Sequence, residues 1–249
     1  MPPPFPADLV LALAPTGTLR TGLNYSNFLI TGRDAAGAPY GVAIDIAREL
    51  GRRTGLPVVF VGYEAPGPMA EATPANIWDI AFLAVEPKRA NLIEFSPAYL
   101  EIEATYLLPA GSPLSRIDDV DTPGKRIAVM DKSAYDLYLS RTIRHAELVR
   151  VEGMQGAYER FVADKLDALA GLRPALIGDA AKLPGSRVLE GRFTAVQQAM
   201  GMPKVVSDRS GGRVAAALKT FIEDVKASGF VADAITRHRV NGVNVAAPG

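Results

Sequence analysis

Twice along the chain, an apolar strand candidate leads through a helical pattern to a second strand candidate. This order restricts the fold more than any other feature. Leu19–Asn24 is apolar-rich and runs into Tyr25-Ser26-Asn27, so it reads as a strand ending in a loop. A turn is expected around Gly32–Gly37. Over Ala43–Thr54, Ile44, Ala47 and Leu50 fall at helical spacing, with Arg48, Glu49, Arg52 and Arg53 on other faces. Gly55 is a natural helix terminator and Pro57 cannot continue the helix. Val58–Val61 is a β-branched strand. Strand, helix, strand in this order implies a parallel pair.

Residues 105–195 repeat the rhythm. Strands are expected at Thr105–Leu108, Arg126–Met130, Leu148–Val151, Leu169–Leu172 and Val188–Leu189. Helices are expected at Ser133–Arg141, where Ser133 and Asp136 have capping-box spacing, and at Gly156–Asp164. Two α/β lobes are the economical reading. Between these stretches, residues 62–77 and Pro109–Gly124 look like loops and Asp79–Leu83 like a short buried strand. Pro87 stands where a helix could start, and Phe95-Ser96-Pro97 breaks that segment. In the tail, Val214, Leu218, Phe221, Ile222 and Val225 form one helical stripe closed by Gly229, with a second short helix over Val231–Arg239.

Composition excludes several functions. In 249 residues there is no cysteine, hence no disulfide, thiolate zinc site or cysteine nucleophile. The 27 basic and 27 acidic residues cancel, so the basic excess of a nucleic-acid binder is missing. The two histidines, His145 and His238, rule out a three-histidine metal site and lie among charged residues, which reads as solvated surface. No metal or other cofactor is expected. No apolar run reaches membrane-spanning length. The apolar run Leu9–Ala14 reads as a short helix. The opening segment lacks a basic start and carries Asp8, so it makes a poor signal peptide. The common phosphate loops, the nucleophile elbow and the zinc-protease motif are all missing. Glu101 and Glu103 flank Ile102 on a strand and face the same side, which makes them candidates for acid–base work or simply a solvated face.

What remains is a binding architecture. Ligands of α/β sheets sit beyond the carboxyl ends of the strands. Asn24, Tyr25 and Asn27 follow the first strand; Phe82, Leu83 and Ala84 end another. Arg89 is close enough to that end to clamp a carboxylate with two parallel hydrogen bonds. Ser133 begins a helix whose free backbone N–H groups favour an anion. Taken alone, Arg89 is also a plausible surface ion-pair residue, Tyr25 a packing aromatic and Ser133 only a cap.

Five stretches then carry a resemblance: LRTGLNYSNF at 19–28, GVAIDIARELGRRTGLPVVFV at 41–61, WDIAFLAVEPKRANLIEFSPAYLE at 78–101, PGKRIAVMDKSAYDLYL at 123–139 and ASGF at 227–230. In this order they resemble the type II periplasmic solute-binding proteins of family 3, the polar amino acid receptors of ABC importers. Glu86-Pro87-Lys88-Arg89-Ala90 followed by Phe95-Ser96 matches a family pattern closely. The resemblance implies two Rossmann-like α/β lobes joined by two crossover strands. Lobe one would be residues 1–104 plus 196–249, and lobe two residues 105–195. It implies a non-catalytic protein that closes on a small carboxylate-bearing ligand in an interlobe cleft.

By the same resemblance Arg89 holds the ligand carboxylate. Ser133, with Ala134 and Tyr135, provides the helix-start contact, and Asn24, Tyr25 and Asn27 form the first-strand loop. Gln197, on the second crossover strand, joins the candidate set. Three positions depart from the amino acid receptors. Ala84 stands for a ligand-bonding Ser/Thr, and Phe82 for a small residue. Leu172 stands near the family Asp that pairs the ligand amine, with Arg173 beside it as a second anionic contact. An ammonium buried without its carboxylate is costly, so an organic acid or an amine-masked derivative is expected. The implied partners are ABC transporter membrane subunits, with no nucleic acid, and the implied state is a monomer. The implied location is periplasmic, against a weak export signal that leaves the cytoplasm open. Two alternatives share the scaffold: a cyclohexadienyl dehydratase-like enzyme using Glu101 or Glu103 as acid, and a ligand-sensing domain.

Overall fold

The computed structural model describes residues 5–249. Residues 1–4, part of the opening segment that makes a poor signal peptide, lie outside the described residues. In chain order, helix α1 (Ala7–Leu13) precedes strands β1 (Leu19–Asn24), β2 (Gly32–Arg33) and β3 (Pro39–Tyr40). Helix α2 (Val42–Thr54), strand β4 (Val58–Tyr63), helix α3 (Pro66–Glu71), strand β5 (Ile80–Ala84) and the long strand β6 (Ile93–Leu108) follow. Next come β7 (Arg126–Met130), α4 (Ala134–Thr142), β8 (Glu147–Val151), α5 (Met154–Ala163), β9 (Ala168–Leu172), α6 (Arg173–Ala180) and β10 (Arg187–Val188). Strand β11 (Thr194–Pro203), helices α7 (Lys204–Arg209), α8 (Arg213–Ala227) and α9 (Phe230–Arg237), and strand β12 (Val243–Val245) complete the chain. Two compact units result. The first runs to Glu101 and resumes at Gln197; the second is Ile102–Val196. The chain passes between them inside β6 and β11.

In the first unit the strands lie in the order β4-β1-β5-β11. β1 is parallel to both β4 and β5, and β11 runs antiparallel to β5. The expected βαβ unit is present because α2 turns back sharply. Gly55, at φ 73°, caps the helix in the left-handed region that glycine enters without strain. On one side Met69, Trp78, Ala81, Leu83 and Ile93 form a core cluster. The α8 stripe Val214, Leu218, Phe221, Ile222 and Val225 is wholly buried. Each such side chain contributes about 1.5–3 kcal/mol, so the stripe is what holds α8 in place.

In the second unit the order is β6-β9-β7-β8. β7 is parallel to β8 and β9, while β6 is antiparallel to β9. Leu107, Ala128, Ala157, Phe161, Leu166, Leu169 and Leu176 make its core.

Several expectations need correction. Residues 62–77 are not a plain loop: α3 starts there, with prolines in its first turn, where a missing N–H is no loss. Pro87 starts no α-helix; only a short 3₁₀ turn at Arg89–Asn91 separates β5 from β6. Phe95-Ser96-Pro97 does not break the chain, because β6 runs straight through it. The Ser96 hydroxyl accepts the Met200 N–H at 3.2 Å, so a side chain serves the neighbouring strand beside the proline. Helix α6 was not expected at all. The capping box at Ser133 is half formed: its hydroxyl accepts the Asp136 N–H at 3.0 Å, but the Asp136 carboxylate turns to the Lys132 N–H at 2.9 Å. His145 is exposed as expected. His238 is not a solvated histidine: its side chain is only 16% exposed, and Nε2 lies 2.8 Å from Asp45 Oδ2.

Candidate functional site

The order β4-β1-β5 brings three parallel carboxyl ends side by side in the first unit. Asn24 pairs with Tyr63, and Leu23 with Phe82. Continuing that register puts Tyr25 level with Ala84. Neighbouring strands are about 4.8 Å apart, so the loops after them share one edge.

Arg89 belongs to this edge. Its Nη1 donates to the Ala84 carbonyl oxygen at 2.9 Å, and the residue is only 6% exposed. Burial pulls its guanidinium down to about 10, and the Glu86 carboxylate partly counters this. A guanidinium has five donors in a rigid fork, which suits it to hold a carbonyl and a carboxylate together.

The loop after β1 is folded on itself. Asn24 Oδ1 accepts from the Ser26 N–H and hydroxyl at 3.2 and 2.7 Å. The Asn27 carbonyl oxygen accepts from the Ile30 and Thr31 N–H groups, both at 3.1 Å. Asn27 Oδ1 is buried without a hydrogen-bond partner among the described residues. Tyr25 donates its N–H to the Tyr63 carbonyl at 2.8 Å. The Arg33 guanidinium lies 3.7 Å from the Tyr25 ring centroid.

Phe82 and Leu83 contribute differently. Phe82 packs edge-on against Tyr99 with centroids 5.7 Å apart, and Leu83 joins the Trp78 cluster. Both side chains serve the core, and Ala84 offers its carbonyl to Arg89. Gln197 donates to Glu101 Oε2 at 2.6 Å. Glu103 is held separately by Arg173 at 2.7 Å and Arg192 at 3.6 Å.

The second unit has a comparable edge. β7 and β9 are parallel, and Ser133 and Arg173 follow their carboxyl ends. Ser133, Ala134 and Tyr135 are all buried, and burial pushes the Tyr135 hydroxyl up, with the Ser133 contact acting against it. Leu172 is buried at the end of β9. The donors of Arg173 go to Glu103, to the Leu189 carbonyl at 3.1 Å and to the Gly191 carbonyl. Among the described residues no cluster of three or more His, Asp or Glu side chains is placed to hold a metal. No helix there is long and apolar enough to cross a membrane.

Sequence reasoning did not single out Arg33, Gly62 and Glu64. A Cβ on Gly62 would stand 2.6 Å from Tyr25 Cε2 and 2.9 Å from Arg33 Nη2, so glycine there allows the stack. No motif signals this, because Arg33 comes from the separate β2–β3 hairpin and meets the β4 end only in the folded chain.

Comparison with solved structures finds this fold in binding proteins. A mutant of the arginine-binding protein ArgBP from T. maritima superposes with a TM-score of 0.74 at 18% identity, covering 93% of this chain and 99% of that one. The L-cysteine solute receptor of Neisseria gonorrhoeae gives 0.76 at 20% identity, covering 94% and 95%. An ancestral amino acid-binding protein, a precursor of cyclohexadienyl dehydratase, gives 0.73 at 19% identity, covering 92% and 97%. No curated protein matches in sequence. The arrangement is thus the two-lobed α/β fold of the type II periplasmic binding proteins. Residues 19–239 match the bacterial extracellular solute-binding proteins, family 3, and the chain belongs to that family.

Proposed function

We propose that this chain binds a small carboxylate-bearing solute and delivers it to the membrane subunits of an ABC transporter. It works outside the cytoplasm, as a monomer, without cofactor and without catalysis. The carrying observation is Arg89: a guanidinium buried to 6% exposure and oriented by Ala84 at the carboxyl end of β5. The neighbouring Glu86 carboxylate only partly offsets the desolvation of that charge, and a ligand carboxylate would offset more of it. Asn24, Tyr25 and Asn27 line the same edge.

The relatives named above bind arginine and cysteine, which carry an α-ammonium group. Leu172 stands where the family resemblance expects the carboxylate for that ammonium. The ligand is therefore an organic acid or an amino acid derivative with a masked amine. Isothermal titration with a panel of small carboxylates and free amino acids tests this. A carboxylate without an ammonium group should bind, and Arg89→Ala should abolish its binding. Unchanged affinity in that variant defeats the reading.

The dehydratase precursor among the similar folds keeps a second reading in view. Absorbance assays of prephenate and arogenate turnover, with Glu101→Gln as control, separate it from pure binding.

A further inference from the structure

We propose that Arg33, laid over Tyr25, is a second anion-recognising group on the Arg89 edge, and that the ligand is a short-chain dicarboxylate. This deepens the reading above and rests on it.

The sheet order does the positioning. Glu64 follows β4, Tyr25 follows β1 and Arg89 follows β5, and those three strands are neighbours. Arg33 reaches the edge from the small β2–β3 hairpin, in which it pairs with Pro39. That hairpin is preset by Asp34, whose Oδ1 accepts the Ala36 and Ala38 N–H groups at 2.9 and 2.8 Å. Gly62 completes the arrangement from behind by leaving room for the ring and the guanidinium together. The second guanidinium is therefore held on a ring face at 3.7 Å rather than left to wander in solvent. Preorganisation of this kind reduces the entropy lost when an anion docks.

Arg33 already has a carboxylate partner, and that partner is replaceable. Glu64 Oε1 accepts from Arg33 Nη1 at 3.0 Å, with Glu64 78% and Arg33 46% exposed. Exposed pairs of this kind contribute little. A ligand carboxylate can displace Glu64, which then returns to water. A ligand with one acid group fills Arg89 and leaves the Arg33–Glu64 pair as it is. A ligand with two uses both cations.

Calorimetric titration of the whole chain with glutarate and with pentanoate, two acids of equal chain length, tests the proposal. Glutarate should bind at least tenfold more tightly. Arg33→Met should remove that advantage, bringing glutarate to the affinity of pentanoate for the same variant; Arg33→Lys should keep part of it. Glu64→Gln, which deletes only the competitor, should tighten glutarate binding a few-fold. Arg89→Met should abolish binding of both acids. Equal affinity of the two acids, or a glutarate preference that survives Arg33→Met, overturns the dicarboxylate inference. The Arg89 reading stands in either case if pentanoate binding is still lost in Arg89→Met. Failure of both acids to bind overturns the inference, and the panel above then decides the Arg89 reading separately. Circular dichroism of each variant confirms the fold.

Discussion

Arg89 donates to the Ala84 carbonyl oxygen at 2.9 Å from a position that water hardly reaches. Burial lowers its guanidinium from 12.5 to about 10. A folded-state value below the unfolded one means that the unfolded chain binds the proton more tightly between those limits. The charge therefore opposes folding at all lower pH, by on the order of 3 kcal/mol, and this penalty fades as pH rises from about 10 toward 12.5. Removing Arg89 alone would leave the buried Glu86 carboxylate without its neighbour. The double variant Glu86→Gln/Arg89→Met removes both charges. It should melt a few degrees higher than the parent at neutral pH while binding no carboxylate. Calorimetry in the absence of ligand checks this. A lower midpoint in the double variant contradicts the claim that the site is held at a cost to stability.

Gly62 offers a way to disturb the Tyr25 edge without touching a polar group. Alanine there would press on Tyr25 Cε2 and Arg33 Nη2. Both belong to side chains at the margin of the unit, so the fold should give way there by less than about 1 kcal/mol. The ring and its guanidinium must move, however, and ligand affinity should fall about tenfold. Parallel melting and titration of Gly62→Ala measure the two effects. A large loss of stability with unchanged affinity would show that Tyr25 only packs.

Local signals were legible in the sequence and distant ones were not. β1 and β7 run where their apolar patterns place them, and the α8 stripe is buried throughout. Each depends on residues within a turn or two of one another. α3 escaped because its prolines read as a loop although they occupy a helix's first turn. Helix α6 hid behind Arg173-Pro174 for the same reason. The run through Pro97 depends on Ser96 serving a strand 104 residues away. His238 read as surface because its partner, Asp45, is 193 residues distant. At the candidate site, the Glu86–Ala90 pattern drew attention to Arg89, but nothing local shows that the side chain is buried. The Arg33–Tyr25 stack needs the hairpin, the β1 loop and a bare glycine on β4, and no single motif contains all three.

Glu49 supports a second pH prediction, in which a depressed pKa stabilises the fold at neutral pH instead of opposing it. It accepts from Arg52 Nε at 2.7 Å and from Arg53 Nε at 2.8 Å, and Arg53 continues to Asp224 on α8. The Arg52 contact leads in holding the Glu49 carboxyl at about 2, below its ordinary 4.5; burial acts against it and Arg53 assists. A depressed carboxylate stabilises the fold above its unfolded value and loses that contribution as pH falls toward the folded one. Because Glu49 is partly solvated, the contribution at neutral pH is about 1 kcal/mol. Glu49→Gln should therefore melt below the parent at pH 7, with the gap closing between about pH 4.5 and 2. A gap that persists at the acid end would assign the loss to packing instead.

Ser133 carries two proposed roles that one pair of variants separates. Its hydroxyl accepts the Asp136 N–H at 3.0 Å and so caps α4. The same helix start is proposed to meet a ligand anion. Ser133→Ala removes the cap and should lower stability by about 1 kcal/mol. Ser133→Asp keeps an acceptor for the Asp136 N–H and should hold stability near the parent. It also sets a negative charge where a carboxylate is proposed to approach, so it should weaken ligand binding more than alanine does. The discriminating result is thus a crossed one: alanine hurts the fold more, and aspartate hurts the affinity more. If aspartate binds the carboxylate as tightly as the parent does, Ser133 is a cap only, and the ligand contacts of this chain lie elsewhere.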